Sequence, residues 1–384
     1  MRFPEFNGEW EIKLINDLAV VIGGGTPDTT IKSYWDGEIQ WFTPSEIGKN
    51  KYVDSSLRTI TEEGLNNSSA KLLPPNTILL SSRATIGECS LSLRECATNQ
   101  GFQSLVSKKC YVDFLYYLIQ TKKRDLIRKS CGSTFLEISA NEVRKIQVSV
   151  PTDVEQQKIA GLLSLIDERI ATQNKIIEKL QSLIKGLSQQ LLSSENDWIL
   201  YRLDDLAQIK SGYSGTQVSY QTPYKVSRIE TISKHCIDIQ RIGYVECIPE
   251  SYRLNVGNIL FSNINSIQYI GNTAYLDKDY GLYHGMNLLR IIPNTTIVRP
   301  RFLHLLLCTD WAINHFQTIC NKAVSQASIN QTALGKSRFP IPPMSVQQQI
   351  CSMFELTERK LDNEQEYISC LQQQKRYLLQ KMFI

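Results

Sequence analysis

Two short polar loops in this 384-residue chain carry residue types that hydrogen-bond to nucleic-acid bases. SSRATIG at 81–87 and SNINS at 262–266 each follow an apolar run that predicts a β-strand. Arg can pair bidentately with guanine and Asn or Gln with adenine, whereas Ser and Thr suit base edges and phosphates. Taken singly, such loops are weak signals, because turns use the same residue types.

Polar residues recur at comparable places in both halves, in NQGF at 99–102 and GMN at 285–287, and in GST at 132–134 and SQAS at 325–328. Residues of the types that could contact DNA form one set in each half. The first set is Arg83, Thr85, Asn99, Gln100 and Thr134. The second set is Arg228, Asn263, Asn265, Ser266, Asn287, Gln326 and Ser328.

A basic cluster lies at the end of a predicted helix over 114–129. Its members are Lys122, Lys123, Arg124 and Arg128. On one continuous helix, residues 124 and 128 would share a face. Contact with DNA phosphates is one interpretation. A solvated helix end, whose basic residues complement the helix dipole, is the alternative that stays open.

Motifs for catalysis and metal binding are missing. The chain has no GxxxxGK[ST] phosphate loop and no [DNS]PP[YFW] clamp for a flipped adenine, and GYSG at 212–215 is not a GxSxG elbow. The four histidines form no i,i+4 pair and the ten cysteines no CxxC, so we predict no metal site. We expect reduced, mostly buried cysteines. A nuclease site of dispersed carboxylates stays open.

The composition neither demands nor excludes a nucleic-acid partner. With 42 basic and 38 acidic residues the formal net charge is +4, and two long segments at 151–193 and 341–384 carry five of each sign. The basic surplus therefore belongs to the rest of the chain. No window of 18 apolar residues occurs and MRFPEFNGEW is no signal peptide, so we expect a cytoplasmic protein without a membrane partner.

The elements that would position the polar residues occur twice, in the same order. ILLS at 78–81 recurs as ILFS at 259–262, and FLYYLIQT at 114–121 recurs as FLHLLLCT at 302–309. The prolines at 151 and 342 each precede a Gln-rich helix start, QQKI and QQQI. This order, kept at offsets of 181 to 191 residues, predicts a duplication of the form domain, helix, domain, helix.

Both long helices carry a heptad seam, in which apolar residues alternate at spacings of four and three. Gln173 and Glu364 stand at matched polar positions within the two seams. We predict that the two seams pair with each other. The seam residues are Ile159, Leu163, Ile166, Ile170, Ile177 and Leu180 in the first helix, and Ile350, Phe354, Leu361, Ile368 and Leu371 in the second.

These patterns predict an α+β fold with two mixed α/β domains in tandem, alternating with two long helices. The predicted domains are 1–150 and 194–340, and the predicted helical segments are 151–193 and 341–384. A helix over 155–192 spans about 57 Å. The second helix must run back along the first if their seams pair, which predicts an antiparallel coiled coil with approximate twofold symmetry.

The whole chain resembles the specificity subunits of type I restriction–modification systems. The resemblance is carried by GTP at 25–27, WDGEIQW at 35–41 and TPSEI at 43–47, and by the loops at 81–87, 99–102 and 132–135. It continues through EQQKIA at 155–160 and IDERI at 166–170. The second half lacks the GTP and WxTP signatures and has PYKV at 223–226 and RIE at 228–230 instead.

This resemblance implies a non-catalytic subunit with two target-recognition domains. Each would read one half of a bipartite, asymmetric DNA site, and the paired helices would set the unread spacer. The implied partners are double-stranded DNA, two modification subunits that methylate adenine, and restriction subunits. S-adenosylmethionine, ATP and Mg²⁺ would bind to those partners, so no cofactor is expected in this chain. The Val at 346, in place of Glu155, would weaken partner docking by the second helix.

Two other interpretations stay open. An adaptor that uses only its coiled coil would bind no duplex DNA even with partners present. A chain with its own methyltransferase or nuclease chemistry would bind S-adenosylmethionine or cut DNA alone.

Overall fold

The computed structural model describes residues 1–132, 136–193, 198–233, 235–322 and 326–383. The chain divides into two compact units, residues 1–176 with 364–384 and residues 177–363. Each of the two long helices therefore contributes one part to each unit.

The first unit combines runs of short strands with helices. The strands are β1 (Glu11–Leu14), β2 (Ala19–Gly23), β3 (Trp35–Phe42), β4 (Tyr52–Val53), β5 (Arg58–Ile60), β6 (Ile78–Leu80), β7 (Cys89–Ser92), β8 (Cys96–Thr98), β9 (Gln103–Ser107) and β10 (Gln147–Val150). The helices are α1 (Ile15–Leu18), α2 (Glu62–Asn66), α3 (Val112–Thr121), α4 (Lys123–Arg128), α5 (Ala140–Arg144) and the long α6 (Asp153–Leu191). Lys32–Tyr34 and Pro44–Glu46 form 3₁₀ turns.

The second unit repeats this plan. Its strands are β11 (Ile199–Arg202), β12 (Ala207–Ser211), β13 (Gln217–Val218), β14 (Tyr224–Val226), β15 (Ile232–Ser233), β16 (Cys236–Ile237), β17 (Gly243–Val245), β18 (Ile259–Phe261), β19 (Ile264–Asn265), β20 (Thr273–Tyr275), β21 (Leu282–Tyr283), β22 (Leu289–Pro293), β23 (Asn321–Lys322), β24 (Ala327–Ser328) and β25 (Arg338–Ile341). Its helices are α7 (Leu203–Leu206), α8 (Pro300–Leu307), α9 (Asp310–Ile319), α10 (Gln331–Gly335) and the long α11 (Met344–Met382), with 3₁₀ turns at Ile229–Thr231 and Glu250–Tyr252.

A central sheet organises each unit. In the first unit its order is β2-β9-β6-β7-β4, and in the second it is β12-β22-β18-β20. The middle strands β6 and β18 are buried throughout, which explains why ILL and ILF are continuous apolar runs. The apolar side chains of α3 pack onto the first sheet and those of α8 onto the second.

A second sheet in each unit contains a parallel pair, β3 with β8 and β14 with β21. The register aligns Trp41 with Ala97 and Val226 with Tyr283. In both units the chain then turns into a short 3₁₀ segment, beginning after Thr43 in the first and after Arg228 in the second. The architecture therefore repeats even where the GTP and WxTP signatures are lost.

The structure confirms the antiparallel pairing of the long helices within each unit. In the first unit Asp167 of α6 contacts Lys375 of α11, and Gln173 contacts Glu364, so the numbers run in opposite directions. In the second unit Ile184 and Leu187 of α6 pack in one cluster with Ile350 and Phe354 of α11.

The buried Gln of each long helix explains why the repeat is so clear at this point. The Gln156 amide accepts a bond from the Tyr111 amide N–H at 2.9 Å and donates to the Pro151 carbonyl at 2.9 Å. The Gln347 amide likewise accepts from the Arg299 N–H at 2.7 Å and donates to the Pro342 carbonyl at 2.9 Å. In each unit one side chain thus ties the start of the long helix to the start of the domain helix, α3 or α8.

Some local predictions were wrong. The single helix predicted over 114–129 is broken at Lys122 into α3 and α4. The sequence at 301–317, whose apolar spacing likewise predicts one helix, is broken at Cys308 into α8 and α9. The sequence EIQWFTPSEI at 38–47 predicts one strand, but β3 ends at Phe42, because Pro44 starts a 3₁₀ turn. The cysteines are unpaired, but burial is less general than expected: four are buried, two intermediate and four exposed.

Candidate nucleic-acid interface

The polar loop after β6 is held by its own backbone and hydroxyl groups. The Ser81 hydroxyl donates to the Arg83 carbonyl at 2.8 Å, and the Thr85 hydroxyl donates to Ser81 Oγ at 3.0 Å. Ala84 and Gly87 adopt positive φ angles of 55° and 88°, which make the tight turn. The loop is therefore shaped without the Arg83 side chain, which remains available for another role.

Arg83 meets an acidic partner on a neighbouring segment. Its Nη2 lies 2.7 Å from Glu137 Oε2, and the two side chains are 42% and 35% exposed. The Ile138 N–H donates to the Ser82 carbonyl at 3.1 Å, which fixes the segment after residue 135 against the loop. The predicted contact Thr134 lies outside the described residues.

Asn99 and Gln100 lie beside the same loop. The Ser82 N–H donates to the Gly101 carbonyl at 2.8 Å, and Asn99 Oδ1 accepts from the Gly101 N–H at 2.8 Å. Gln100 is exposed and its Oε1 accepts from the Thr26 hydroxyl at 2.5 Å. The structure thus brings the four described candidates of the first unit into one polar surface.

Sequence reasoning missed the turn at Thr43, Pro44 and Ser45, which belongs to this surface. A Cβ placed on Gly101 would lie 2.9 Å from Pro44 Cγ, so the turn packs directly on the Asn99–Gly101 bend. Thr43 Oγ1 lies 3.0 Å from Ser45 Oγ and donates to Glu46 Oε2 at 2.6 Å. The signal that could have found it is the capping-box spacing TPSE.

The second unit pairs its polar loop with a β-ribbon. Ile264 of β19 aligns with Ser328 of β24, and the Ile329 N–H donates to the Asn263 carbonyl at 2.8 Å. Asn263 Oδ1 is buried and has no hydrogen-bond partner among the described residues. The structure therefore brings together the predicted residues of 262–266 with Gln326, which is exposed, and Ser328.

Most amides of this loop are used internally. Asn265 Nδ2 donates to Ser262 Oγ at 3.2 Å, and its Oδ1 accepts from the Ser266 N–H at 2.8 Å. Asn263 Nδ2 donates weakly to the Ile329 carbonyl at 3.4 Å. To hydrogen-bond to a base, the amide of Asn263 or Asn265 would first have to give up these internal bonds.

Arg228 and Asn287 belong to the second bend of this unit. The Gly285 N–H donates to Ser227 Oγ at 3.0 Å, which places 285–287 beside the 3₁₀ turn that begins after Arg228. Arg228 is exposed and lies 3.5 Å from Glu230. Asn287 is also exposed, with a φ of 64°. Arg228 occupies the position that Thr43 has in the first unit.

The basic cluster borders the loop at 81–87. A Cβ on Gly87 would lie 2.8 Å from Lys123 Cγ, and Lys123 forms an ion pair with Glu88. Arg128 pairs with Asp125 at 2.9 Å. Lys122 lies at the break between α3 and α4 and its side chain makes no capping bond, and the exposed Arg124 makes no ion pair with any described residue. Residues 124 and 128 both lie within α4, so they share one face of that helix as predicted.

The predicted seam residues fall into two groups. Ile159, Leu163, Ile166, Ile350 and Phe354 are buried and belong to the domain cores. In the middle of the helices Leu371 is buried, and the remaining predicted seam residues are partly buried: Ile170, Ile177, Leu180, Leu361 and Ile368.

Polar residues interrupt the seam in the first unit. Gln173 is 5% exposed and donates to the Glu364 carboxylate. Lys375 lies 2.6 Å from Asp167, which also accepts from the Tyr117 hydroxyl at 2.6 Å. Burial, together with the Asp167 charge, raises the pKa of Tyr117. Glu155, expected to matter for docking, is buried and bound by Arg2 through two bonds of 2.7 Å.

The described ranges contain neither a candidate metal-binding cluster nor a candidate membrane-spanning helix. No group of three or more His, Cys, Asp or Glu side chains is placed to hold a metal ion there. None of the helices in those ranges is long and apolar enough to cross a membrane.

Comparison with known proteins gives a consistent result. A family model described as "Type I restriction modification DNA specificity domain" matches residues 7–182 and 195–373. The MjaIX specificity subunit of Methanocaldococcus jannaschii is 30% identical over 327 residues, which cover 72% of this chain and 75% of that protein.

Two solved structures share the fold over nearly their whole length. The S subunit of the type I restriction–modification system from M. genitalium has a TM-score of 0.59 at 16% identity, and covers 100% of this chain and 99% of its own. A chain from a structure titled for complex assembly and conformational transition of the type I R-M system has a TM-score of 0.64 at 14% identity, and covers 98% of both chains.

Proposed function

Because this chain belongs to the family of type I restriction–modification specificity subunits, we propose that it selects the DNA sequence on which such a complex acts. In this proposal it reads a bipartite, asymmetric site and performs no chemistry itself. Methylation of adenine, translocation and cleavage belong to two modification subunits and to restriction subunits. S-adenosylmethionine, ATP and Mg²⁺ bind to those partners.

The observation that carries the proposal is the repeated placement of polar loops on a repeated scaffold. In each unit a loop follows the middle strand, β6 or β18. A backbone hydrogen bond joins this loop to a segment far downstream, at Ile138 in the first unit and at Ile329 in the second. In each unit a bend at 99–101 or 285–287 adjoins a 3₁₀ turn. Such loops on rigid elements suit base readout.

The two units present different side chains from these shared positions, which supports an asymmetric target. The first unit offers Arg83, Thr85 and Gln100, whereas the second offers Arg228, Asn287 and Gln326. An Arg favours guanine and an amide favours adenine, so two unlike sets would read two unlike half-sites.

Phosphate contacts would hold the first unit in place on the duplex. Arg124 and Arg128 lie on α4, next to the Arg83 loop. Base readers and phosphate-binding groups that lie together can fix both the register and the sequence read. We propose that the paired long helices set the unread spacer and dock the modification subunits in the cytoplasm.

Methylome sequencing of cells that express this chain with its modification subunits tests the proposal. We expect methylated adenines in one motif with two unlike halves separated by a fixed spacer. Inserting one heptad between Gln173 and Ile177 of α6, and another between Leu361 and Glu364 of α11, adds about 10 Å of helix. The spacer should then change while both half-sites stay the same.

The other outcomes separate the alternatives. Altered half-sites with an unchanged spacer would contradict the role of the helices in spacing. No retardation of duplex DNA by the chain together with its modification subunits would favour an adaptor that uses only its coiled coil. S-adenosylmethionine binding or DNA cutting by the isolated chain would show that it carries chemistry of its own.

A further inference from the structure

The second unit contains a cavity of about 390 Å³ beside its candidate interface. Arg290 and His284 are among its most buried lining residues, and Lys210, Ser211, Tyr252 and Gln331 contribute to its walls. A Cβ on Gly212 would overlap the carbonyl of Gly285, so the end of β12 touches the bend that carries Asn287.

Arg290 is a buried cation with no carboxylate partner among the described residues. It is 5% exposed. Its Nε donates to Asn258 Oδ1 at 2.8 Å and its Nη1 donates to the Ser251 carbonyl at 3.4 Å, which leaves Nη2 without a bond to a described residue. Burial alone lowers the Arg290 pKa, because no neighbouring anion offsets the loss of solvation.

A second positive charge stands directly opposite. Lys210 of β12 is in register with Arg290 of β22, and it makes no ion pair within the described part of the chain. Like charges at facing positions of an antiparallel pair are destabilising. The matched pair in the first unit, Ile22 and Ser104, is uncharged, so the fold itself does not require charge here.

The remaining walls supply donors rather than counter-charge. The hydroxyl groups of Ser211 and Tyr252 make no hydrogen bonds to described residues. The His284 ring lies 2.9 Å from the Leu288 carbonyl through Nε2, and burial lowers its pKa to about 4, so it is neutral near pH 7. The cavity is therefore a cationic recess with hydroxyl groups at its edge.

We propose that this recess binds a phosphate group through Arg290 and Lys210. A guanidinium presents planar paired donors that match phosphate oxygens, and an ammonium adds a second charge. Its place beside the 285–287 bend makes a backbone phosphate of bound DNA the expected source, and this part of the inference rests on the proposed function. A free phosphate or a phosphorylated small molecule has the same chemistry.

The first experiment measures duplex affinity between 50 and 200 mM salt for the chain assembled with its modification subunits. Affinity falls as salt rises, so the slope of log affinity against log salt is negative. Arg290→Met should make this slope less negative by about one, because one phosphate contact is lost. When salt rises fourfold, the factor by which affinity falls should therefore be about three- to fourfold smaller for the variant than for wild type. Lys210→Met should act in the same direction, Arg290→Lys should restore part of the slope, and sequence preference should not change.

Lys278→Met is the matched control, since Lys278 is an exposed lysine of the same unit outside the recess. It should keep the wild-type slope. The second experiment compares thermal unfolding of the full chain in inorganic phosphate and in chloride of equal ionic strength. Arg290→Met should raise Tm in phosphate-free buffer, because it removes an uncompensated buried charge.

The two experiments together distinguish the source. A less negative slope in the variants with no effect of phosphate on Tm assigns the site to DNA. Stabilisation by phosphate that Arg290→Met abolishes, with an unchanged slope, assigns it to a free anion. A wild-type slope together with a wild-type response of Tm to phosphate in Arg290→Met would overturn the proposal. If wild type binds no duplex, the proposed function fails, while the phosphate measurement still decides this site.

Discussion

The ion pair between Arg83 and Glu137 allows two opposite tests of Arg83: one substitution should lower DNA affinity and another should raise it. The pair is partly exposed, and such pairs contribute about 0.2–1 kcal/mol. A bidentate contact between Arg and guanine discriminates by about 1–3 kcal/mol. If Arg83 contacts a guanine as proposed, it would gain more from the base than it loses by leaving Glu137, so the ion pair would not prevent readout.

Two substitutions follow from these magnitudes. Arg83→Ala should lower duplex affinity by about 5- to 150-fold, equivalent to about 1–3 kcal/mol, and should remove discrimination at one base pair of one half-site. Glu137→Gln removes the competing charge and should raise affinity by up to about fivefold. In the double variant Glu137→Gln should have no further effect, because it acts through Arg83.

The assay is equilibrium binding at fixed salt, with the chain assembled with its modification subunits and duplexes varied one base pair at a time. Arg94→Ala is the matched control, because Arg94 forms a comparable exposed ion pair with Asp54 at 2.5 Å. It should leave affinity unchanged. Full retention of affinity and discrimination by Arg83→Ala, or an equal loss in Arg94→Ala, would refute the reasoning.

Three further predictions concern stability. Gln156→Ala and Gln347→Ala should each lower the free energy of unfolding by about 1–3 kcal/mol, measured in urea, because each removes the acceptor of a partly buried backbone N–H and the donor to a buried proline carbonyl. Replacing both Gln173 and Glu364 by Leu should raise the Tm of the first unit by a few degrees in calorimetry, at the expense of fixed register; a lower Tm would contradict this. His284 has a folded pKa of about 4 against 6.5, so protonation of the unfolded chain should reduce the stability of the second unit by up to about 3 kcal/mol between pH 6.5 and 4, and His284→Gln should abolish this part of the calorimetric pH dependence.

The duplication and the paired helices could be predicted because their signals are periodic and local. A heptad seam needs only the spacing of apolar residues, and position 173 could be matched to 364 by counting. The break at Cys308 also had a local signal, since Thr309 caps α9 by accepting from the Ala312 N–H. Lys122 offers no capping side chain, so no local sequence signal marks the break between α3 and α4.

The equivalence of Thr43 and Arg228 could not be predicted, because the same turn is closed by different chemistry. In the first unit the Thr43 N–H donates to the Glu46 carboxylate at 2.8 Å. In the second the Arg228 N–H donates to the Thr231 hydroxyl at 2.8 Å. The backbone geometry is kept while the residue types change, and a comparison of letters finds nothing to align.

The isolation of Arg290 also lies beyond sequence reasoning. A sequence shows that an Arg is present, but only the packing of β12, β18 and β22 shows that no described carboxylate reaches it. The same holds for the Arg83–Glu137 pair, whose members are 54 positions apart. Site residues that come from loops are joined by tertiary contacts, and these leave no periodic trace in the chain.

The hydrogen bonds that hold the loops determine which residues can be substituted without loss of stability. The bonds that place the first interface join backbone atoms: the Ser82 N–H to the Gly101 carbonyl, and the Ile138 N–H to the Ser82 carbonyl. The side chains of Arg83, Thr85 and Gln100 are not needed for these bonds, whereas buried Gln156 and Gln347 hold the scaffold in both units. If the proposed function holds, substitutions at Arg83 and Gln100 should therefore alter the DNA sequence selected while lowering stability by no more than about 1 kcal/mol, the upper value for an exposed ion pair. Such a division would let one architecture, used twice in a single chain, serve the two different half-sites of the proposed function.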